Sequence, residues 1–272
     1  MSDFIKKQKG ITLIALVITI IVLLLLAGIT MNIVWGEKSV IKQAKDAKVV
    51  QKIKTKEEDR ELYKTEIIMD SYKDGKPTIL KLGDSGEIIK AGKPIEGVSV
   101  NNGVLTSEFT KTGSKLAEEL EGTVILPGNI TEIAPATFGI GKKIKNVIIQ
   151  EGVTSIGQEA FVECVELENV VFPETLLNIS TYSFMYCGKL KKVVLPPNLK
   201  TIGDFAFSAT NIQKELEIPA SVTSIGNRAF YKSGNIKKVV ILCDGVDDLT
   251  EKSPNYPWGL NESIITFVKD KD

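Results

Sequence analysis

Histidine is missing from all 272 residues, and with it the side chain that titrates nearest neutrality and serves most often as general base and metal ligand. Histidine-dependent catalysis is excluded. Cysteine is scarce: Cys164, Cys187 and Cys243 are too few and too widely spaced for a zinc site or a dense disulfide framework. Net charge is lacking too, with 34 basic residues against 34 acidic ones, so the whole chain has no electrostatic footprint for nucleic-acid phosphates. Asp244, Asp247 and Asp248, like the other acidic residues, form no recognisable acid–base or metal constellation. The chain reads as a protein that is not an enzyme, holds no cofactor or metal and binds no nucleic acid.

Charge is absent above all from residues 11–30, ITLIALVITIIVLLLLAGIT. Twenty helical residues at about 1.5 Å each match the thickness of a bilayer hydrocarbon core, so this segment reads as a transmembrane helix, taken to residue 34. A cleaved secretory signal has a shorter apolar core and a small-x-small site, of which Ala27-Gly28 is a poor version. Lys6, Lys7 and Lys9 favour a cytoplasmic N-terminus, although Lys38, Lys42 and Lys45 follow the span and blunt that rule. The boundary Lys9-Gly10-Ile11-Thr12-Leu13-Ile14 resembles the prepilin-type processing motif of type IV pilins and pseudopilins. That resemblance covers about thirty residues and implies a prepilin-type peptidase as partner, cleavage after Gly10 and methylation of Ile11. The fifth mature residue in that family is usually glutamate, paired with a neighbouring subunit's terminal ammonium; here it is Ala15, which argues against packing in a filament shaft. The alternative to processing is a plain uncleaved anchor.

Beyond Trp35 and Gly36, Val40, Ile41, Ala44, Ala47, Val50 and Ile53 recur at helical spacing, which predicts an amphipathic helical stalk over 35–66. Residues 67–121 mix turn signals such as Asp74-Gly75 and Asn102-Gly103 with short β-rich runs, the expected irregular connector and N-terminal cap of a repeat array.

Repetition is the strongest signal. Phe138, Phe161, Phe184, Phe207 and Phe230 are 23 residues apart, and Ile133, Ile156, Ile179, Ile202 and Ile225 keep the same interval. One unit reads Leu-x-x-Val-x-Phe/Leu-Pro-x-x-Leu-x-x-Ile-Gly-x-x-x-Phe, with an irregular copy at Ile212-Gln213. A lone unit buries too little to offset the entropy of ordering its backbone, so units must stack and share their apolar columns. Each is expected to contribute a strand at Val170-Val171-Phe172 and its equivalents, ended by proline. The segments Leu190-Lys191-Lys192-Val193-Val194-Leu195-Pro196 and Val222-Thr223-Ser224-Ile225-Gly226-Asn227-Arg228-Ala229-Phe230 closely resemble BspA-like leucine-rich repeats of bacterial surface proteins. The resemblance implies a protein-interaction module on the cell exterior.

The predicted fold is thus a leader over 1–10, a transmembrane helix over 11–34, a helical stalk, the connector, a β-rich leucine-rich-repeat solenoid of about five 23-residue repeats over 122–242, and a C-terminal cap over 243–272. Two functions follow from it: a membrane-anchored, surface-displayed binding module, adhesin-like or pilus-tip-like, or a structural pilin-like subunit. Strand alternation turns Ile148, Val171, Val194 and Val240 outward with Glu217, beside Lys145, Lys191, Lys214 and Lys237, with Lys192 and Lys238 adjacent. This is either a partner-binding ridge with a lysine rim, which Val171→Glu and Val194→Glu would disable without unfolding, or the ordinary β-branched and solubilising composition of a strand. Cys164 and Cys187 occupy equivalent places, either close enough for their sulfurs to meet or as small buried members of a column.

Overall fold

The computed structural model describes residues 58–73, 75–243, 249 and 253–269. The leader, Gly10 and Ile11, Ala15, the span over 11–34 and the stripe from Val40 to Ile53 lie outside them. Among the described residues no helix is long and apolar enough to cross a membrane.

Each 23-residue turn makes two short strands that stack in parallel on their equivalents. The first sheet holds β6 (Gly122–Ile125), β8 (Ile144–Ile148) and β10 (Asn169–Val171), with Val124 opposite Val147 and Val147 opposite Val170. The second is built from two-residue strands ending in the isoleucine column: β7 (Glu132–Ile133), β9 (Ser155–Ile156), β11 (Asn178–Ile179), β12 (Thr201–Ile202) and β14 (Ser224–Ile225). Between the sheets the phenylalanines lie as a stack of nearly parallel rings, with centroids 4.7, 5.0, 5.3 and 5.6 Å apart from Phe138 to Phe230. The offset-stack geometry adds to the burial of these large rings, and every one is fully enclosed. A close approach between turns requires glycine at Gly157, where an added Cβ would sit 2.6 Å from the Pro135 nitrogen.

The irregular copy has a mechanical explanation. Phe207 is followed by Ile212 after five residues instead of six, and Ile212 by Leu216 after four instead of three. The residue lost before the column reappears after it as a bulge in β13 (Gln213–Ile218), with Lys214 at φ +66° and the register against β15 (Asn235–Cys243) shifting between Lys214 and Glu215. The strand expected at Val193-Val194-Leu195 shrinks to a single bridge, Asn169 to Lys192, so the first face divides into two sheets. Val193 and Leu195 still point inward and remain buried.

Both ends of the array are closed by different structure. At the N-terminal end, β1 (Thr78–Ile79) extends the first sheet, while β2 (Lys81–Leu82), β3 (Glu87–Lys90), β4 (Lys93–Asn101) and β5 (Val104–Ser107) form an antiparallel meander. The meander joins the second sheet where Leu105 pairs in parallel with Ile133. A short helix, α2 (Lys115–Glu119), is capped by the Ser114 side chain and plugs the first turn with Leu116 and Ala117. At the other end the Phe230 amide donates to the Trp258 carbonyl at 3.0 Å, as Phe207 does to Ala229 one turn earlier. Trp258 is fully buried and β16 (Ile265–Lys269) pairs in parallel with β15. A helix over 58–73, α1, precedes the cap; it runs beyond residue 66, where the stalk was expected to end.

Candidate functional site

Inward and outward residues alternate as the sequence predicts. Val170 and Phe172 join the main core, and Val171 faces the other way with Ile148. That outward face is not open, which corrects the exposed ridge expected from the sequence. Tyr63 and Ile67, one helical turn apart on α1, pack on Ile148 and Val171, with Ile68, Ile125 and Val194 at the margin. Ile148 is left with 0% exposure and Val171 with 8%. Val240 is also buried, on β15 between the registers of Glu217 and Thr266, and outside the cluster beneath α1.

Polar contacts fix the helix in one place. Thr123, Asn146 and Asn169 form a side-chain ladder: the Asn146 amide donates to Thr123 Oγ1 at 2.8 Å and the Asn169 amide to Asn146 Oδ1 at 2.7 Å. The next position in that column is Lys192, which cannot continue the ladder as an acceptor-donor pair. Tyr63 takes its place, its hydroxyl donating to Asn169 Oδ1 at 3.1 Å and to the Lys192 carbonyl at 3.4 Å. The Lys192 ammonium lies 4.0 Å above the Tyr63 ring, a cation–π contact, and Arg60 pairs with Glu174. Burial, with Glu66 nearby, pushes the Tyr63 hydroxyl well above its ordinary value of 10.0.

Part of the lysine rim, and Lys189 beyond it, is neutralised from the neighbouring turn. Lys191 pairs with Glu168 at 3.2 Å, Lys238 with Glu215 at 3.1 Å and Lys189 with Glu166 at 2.6 Å, each across one 23-residue period. Lys214 and Lys237 are exposed and carry no ion pair among the described residues, but Lys214 is turned aside by its bulge. The expected site residues therefore separate: Ile148 and Val171 lie under α1 with Val194 at the edge, Lys192 clamps it, Lys191 is paired, and only Lys214 and Lys237 stay free.

Free charge and exposed aromatic surface concentrate elsewhere, on the turn that carries the phenylalanine column, two residues before and one or two after each ring, a place the sequence reading did not single out. Two positions of each turn have left-handed backbone there: Glu159, Tyr182, Phe205 and Arg228 in one column, Glu163, Tyr186, Ala209 and Lys232 in the other, with φ of 52° to 63°. Backbone amides link the first three members of each column to the next turn, as from Glu159 to Thr181, Tyr182 to Asp204 and Phe205 to Asn227. Tyr182 and Phe205 stack at 5.5 Å, and Arg228 lies 6.0 Å from the Phe205 ring and 5.2 Å from that of Tyr231. The 23-residue interval was the available signal, since it aligns these residues as it aligns the core.

Cys164 and Cys187 are free and fully buried. Cys164 donates to the Phe138 carbonyl and Cys187 to that of Phe161, both at 3.1 Å, so each thiol serves the backbone of the preceding turn.

Residues 119–247 match the model of the BspA type leucine rich repeat region, in six copies. Six agrees with the strand positions Val124, Val147, Val170, Val193, Leu216 and Val239, all buried, whereas the phenylalanine column has five members because Ser253 stands where a sixth would fall. Among solved structures, a leucine rich repeat protein of T. pallidum is similar at 24% identity and TM-score 0.46, over 54% of this chain and 70% of that one. The pneumococcal vaccine antigen PcpA is similar at 20% identity and TM-score 0.46, over 65% and 43%. A leucine rich cell surface protein of Faecalibacterium prausnitzii is similar at 20% identity and TM-score 0.39, over 60% and 52%. The chain thus spans about half or less of the latter two. No curated protein matches it.

Proposed function

We propose that this chain, as the carrier of a BspA-type repeat region, is a surface-displayed protein-binding module that acts by binding and not by catalysis. The observation that carries this reading is the six-copy repeat rod whose turns vary in exposed side chains while their buried columns stay constant. Such a rod offers an extended surface without a catalytic constellation, and it is closed at both ends, so its exposed edges are free for partners. The apolar segment over 11–34 anchors it in the membrane, and a prepilin-type peptidase processes it between Gly10 and Ile11. In this reading α1 is the fastening: its buried Tyr63 and Ile67 hold the repeats to the chain that leads to the membrane.

Antibody raised against residues 122–242 should stain intact cells of the native host, and external protease should remove the staining. Staining that requires permeabilised cells would overturn the display. N-terminal mass spectrometry of the native protein tests the processing separately: a chain beginning at methylated Ile11 is expected, and an intact Met1 or Ser2 would leave a simple anchor.

A further inference from the structure

Along the left-handed turn edge the side chains change character in order. Glu159 and Glu163 come first, then Tyr182 and Tyr186 with Met185, then Phe205, and finally Arg228, Tyr231 and Lys232. Tyr186 is 52% exposed and Tyr231 38%, and Glu163, Arg228 and Lys232 are exposed as well. Among the described residues none of these three charges has an ion-pair partner; Arg228 and Lys232 rest only on aromatic faces. On the strand face, by contrast, Lys191 and Lys238 meet glutamates of the adjacent turn. The fold does not require this composition, because the same two positions are filled by Ala136 and Ile140 in the first turn and by Ala209 in the fourth, with the same backbone. Bulky aromatics with left-handed backbone are uncommon, and exposing them costs solubility without adding to the core.

We infer that this edge is a docking strip for an extended peptide segment of a partner protein, basic at one end, aromatic or proline-rich in the middle and acidic at the other. The spacings favour such a segment: ring intervals of 5.0, 5.3 and 5.6 Å carry the strip from the turn of Phe161 to that of Phe230. The resulting length of about 16 Å is the reach of about five extended residues at roughly 3.3 Å each. Tyrosine and arginine are also the side chains that most often dominate protein interfaces. A neutral glycan fits less well, since it would leave both charged ends unanswered and Arg228 already stands over the aromatic faces of Phe205 and Tyr231. The inference rests on the binding-module reading, but cell staining decides display and peptide affinity decides the strip, so the two fail separately.

The test measures binding of the full chain, by fluorescence anisotropy, to labelled hexapeptides with a Tyr-Pro centre. One set has arginines at one end and glutamates at the other, in both chain directions; a second has the same residues with charges interleaved; a third has arginine at both ends. At least one segregated peptide should bind about tenfold more tightly than the interleaved ones. Tyr186→Ser should weaken it by about tenfold, and Arg228→Glu with Lys232→Glu should do the same while improving the peptide basic at both ends. All these positions are exposed, and unchanged circular dichroism melting confirms folded variants. Equal affinity for segregated and interleaved peptides, indifference to these substitutions, no binding near about 1 mM, or preference for a panel of neutral oligosaccharides would each overturn the strip.

Discussion

Cys164 and Cys187 show how one column position is used. One and two periods after Cys187 stand Thr210 and Ser233: the Ser233 hydroxyl donates to the Phe207 carbonyl of the preceding turn at 2.7 Å, the task of the thiols, while that of Thr210 donates to the same carbonyl within its own turn at 2.8 Å. What the position requires is a small side chain with one donor, not sulfur chemistry. Burial holds the Cys187 thiol far above its ordinary range, and the neutral form is a poor nucleophile. In a Cys243→Ser background, replacing Cys164 and Cys187 by serine is expected to change unfolding free energy by about 1 kcal/mol or less, measured by urea denaturation. A thiol reagent should label neither cysteine until urea unfolds the chain. Labelling at the rate of an exposed thiol would mean that the column is open.

Helix α1 is held on the repeats by one small apolar patch. Val171 lies between Tyr63 and Ile67 of the helix and its own strand, so a carboxylate there is buried against apolar side chains without a partner. Val171→Glu should therefore release α1 while leaving the repeats folded: amides of 60–73 lose hydrogen-exchange protection and those of β8 and β10 keep theirs. Retained protection in α1 would refute the docking. High pH should act in the same way. The Tyr63 hydroxyl has a folded value raised above 10.0, so the stabilisation it gives is complete below pH 10 and fades as pH rises beyond it, the neutral form being the one that α1 buries. Ultraviolet titration should find Tyr63→Phe missing the last tyrosine to ionise. These contacts also mark what the sequence could and could not disclose. Its period of two assigned Ile148, Val171 and Val194 to the outward face, because alternation follows from strand geometry alone. It gave no sign of what covers them: an apolar face looks the same whether a ligand or the chain's own helix lies on it. The repeat columns were legible for the opposite reason, since each residue's neighbour is its own copy, and the misfit at Ile212 was visible without revealing that the missing residue returns as the bulge at Lys214.

For the whole molecule, stability is a sum over contacts between adjacent turns, since each phenylalanine of the column stacks on the rings one period before and after it. A turn is then a removable unit if the columns stay in register. Deleting residues 203–225 takes out 23 residues and joins Ile202 to Gly226, a position equivalent to Gly203. The deletion removes the bulged strand β13 and brings Phe184 to face Phe230, while the contacts of α1 with Ile125, Ile148, Val171 and Val194 are untouched. The shortened chain should fold and melt cooperatively at a lower temperature, because one turn-to-turn interface fewer remains. Deleting residues 203–222 shifts Phe230 by three positions and places Asn227 where the column needs phenylalanine, so that chain should fail to close its C-terminal turns and lose the burial of Trp258. Calorimetry and tryptophan fluorescence distinguish the pair. Equal melting of the two deletions would show that the columns do not hold the rod together.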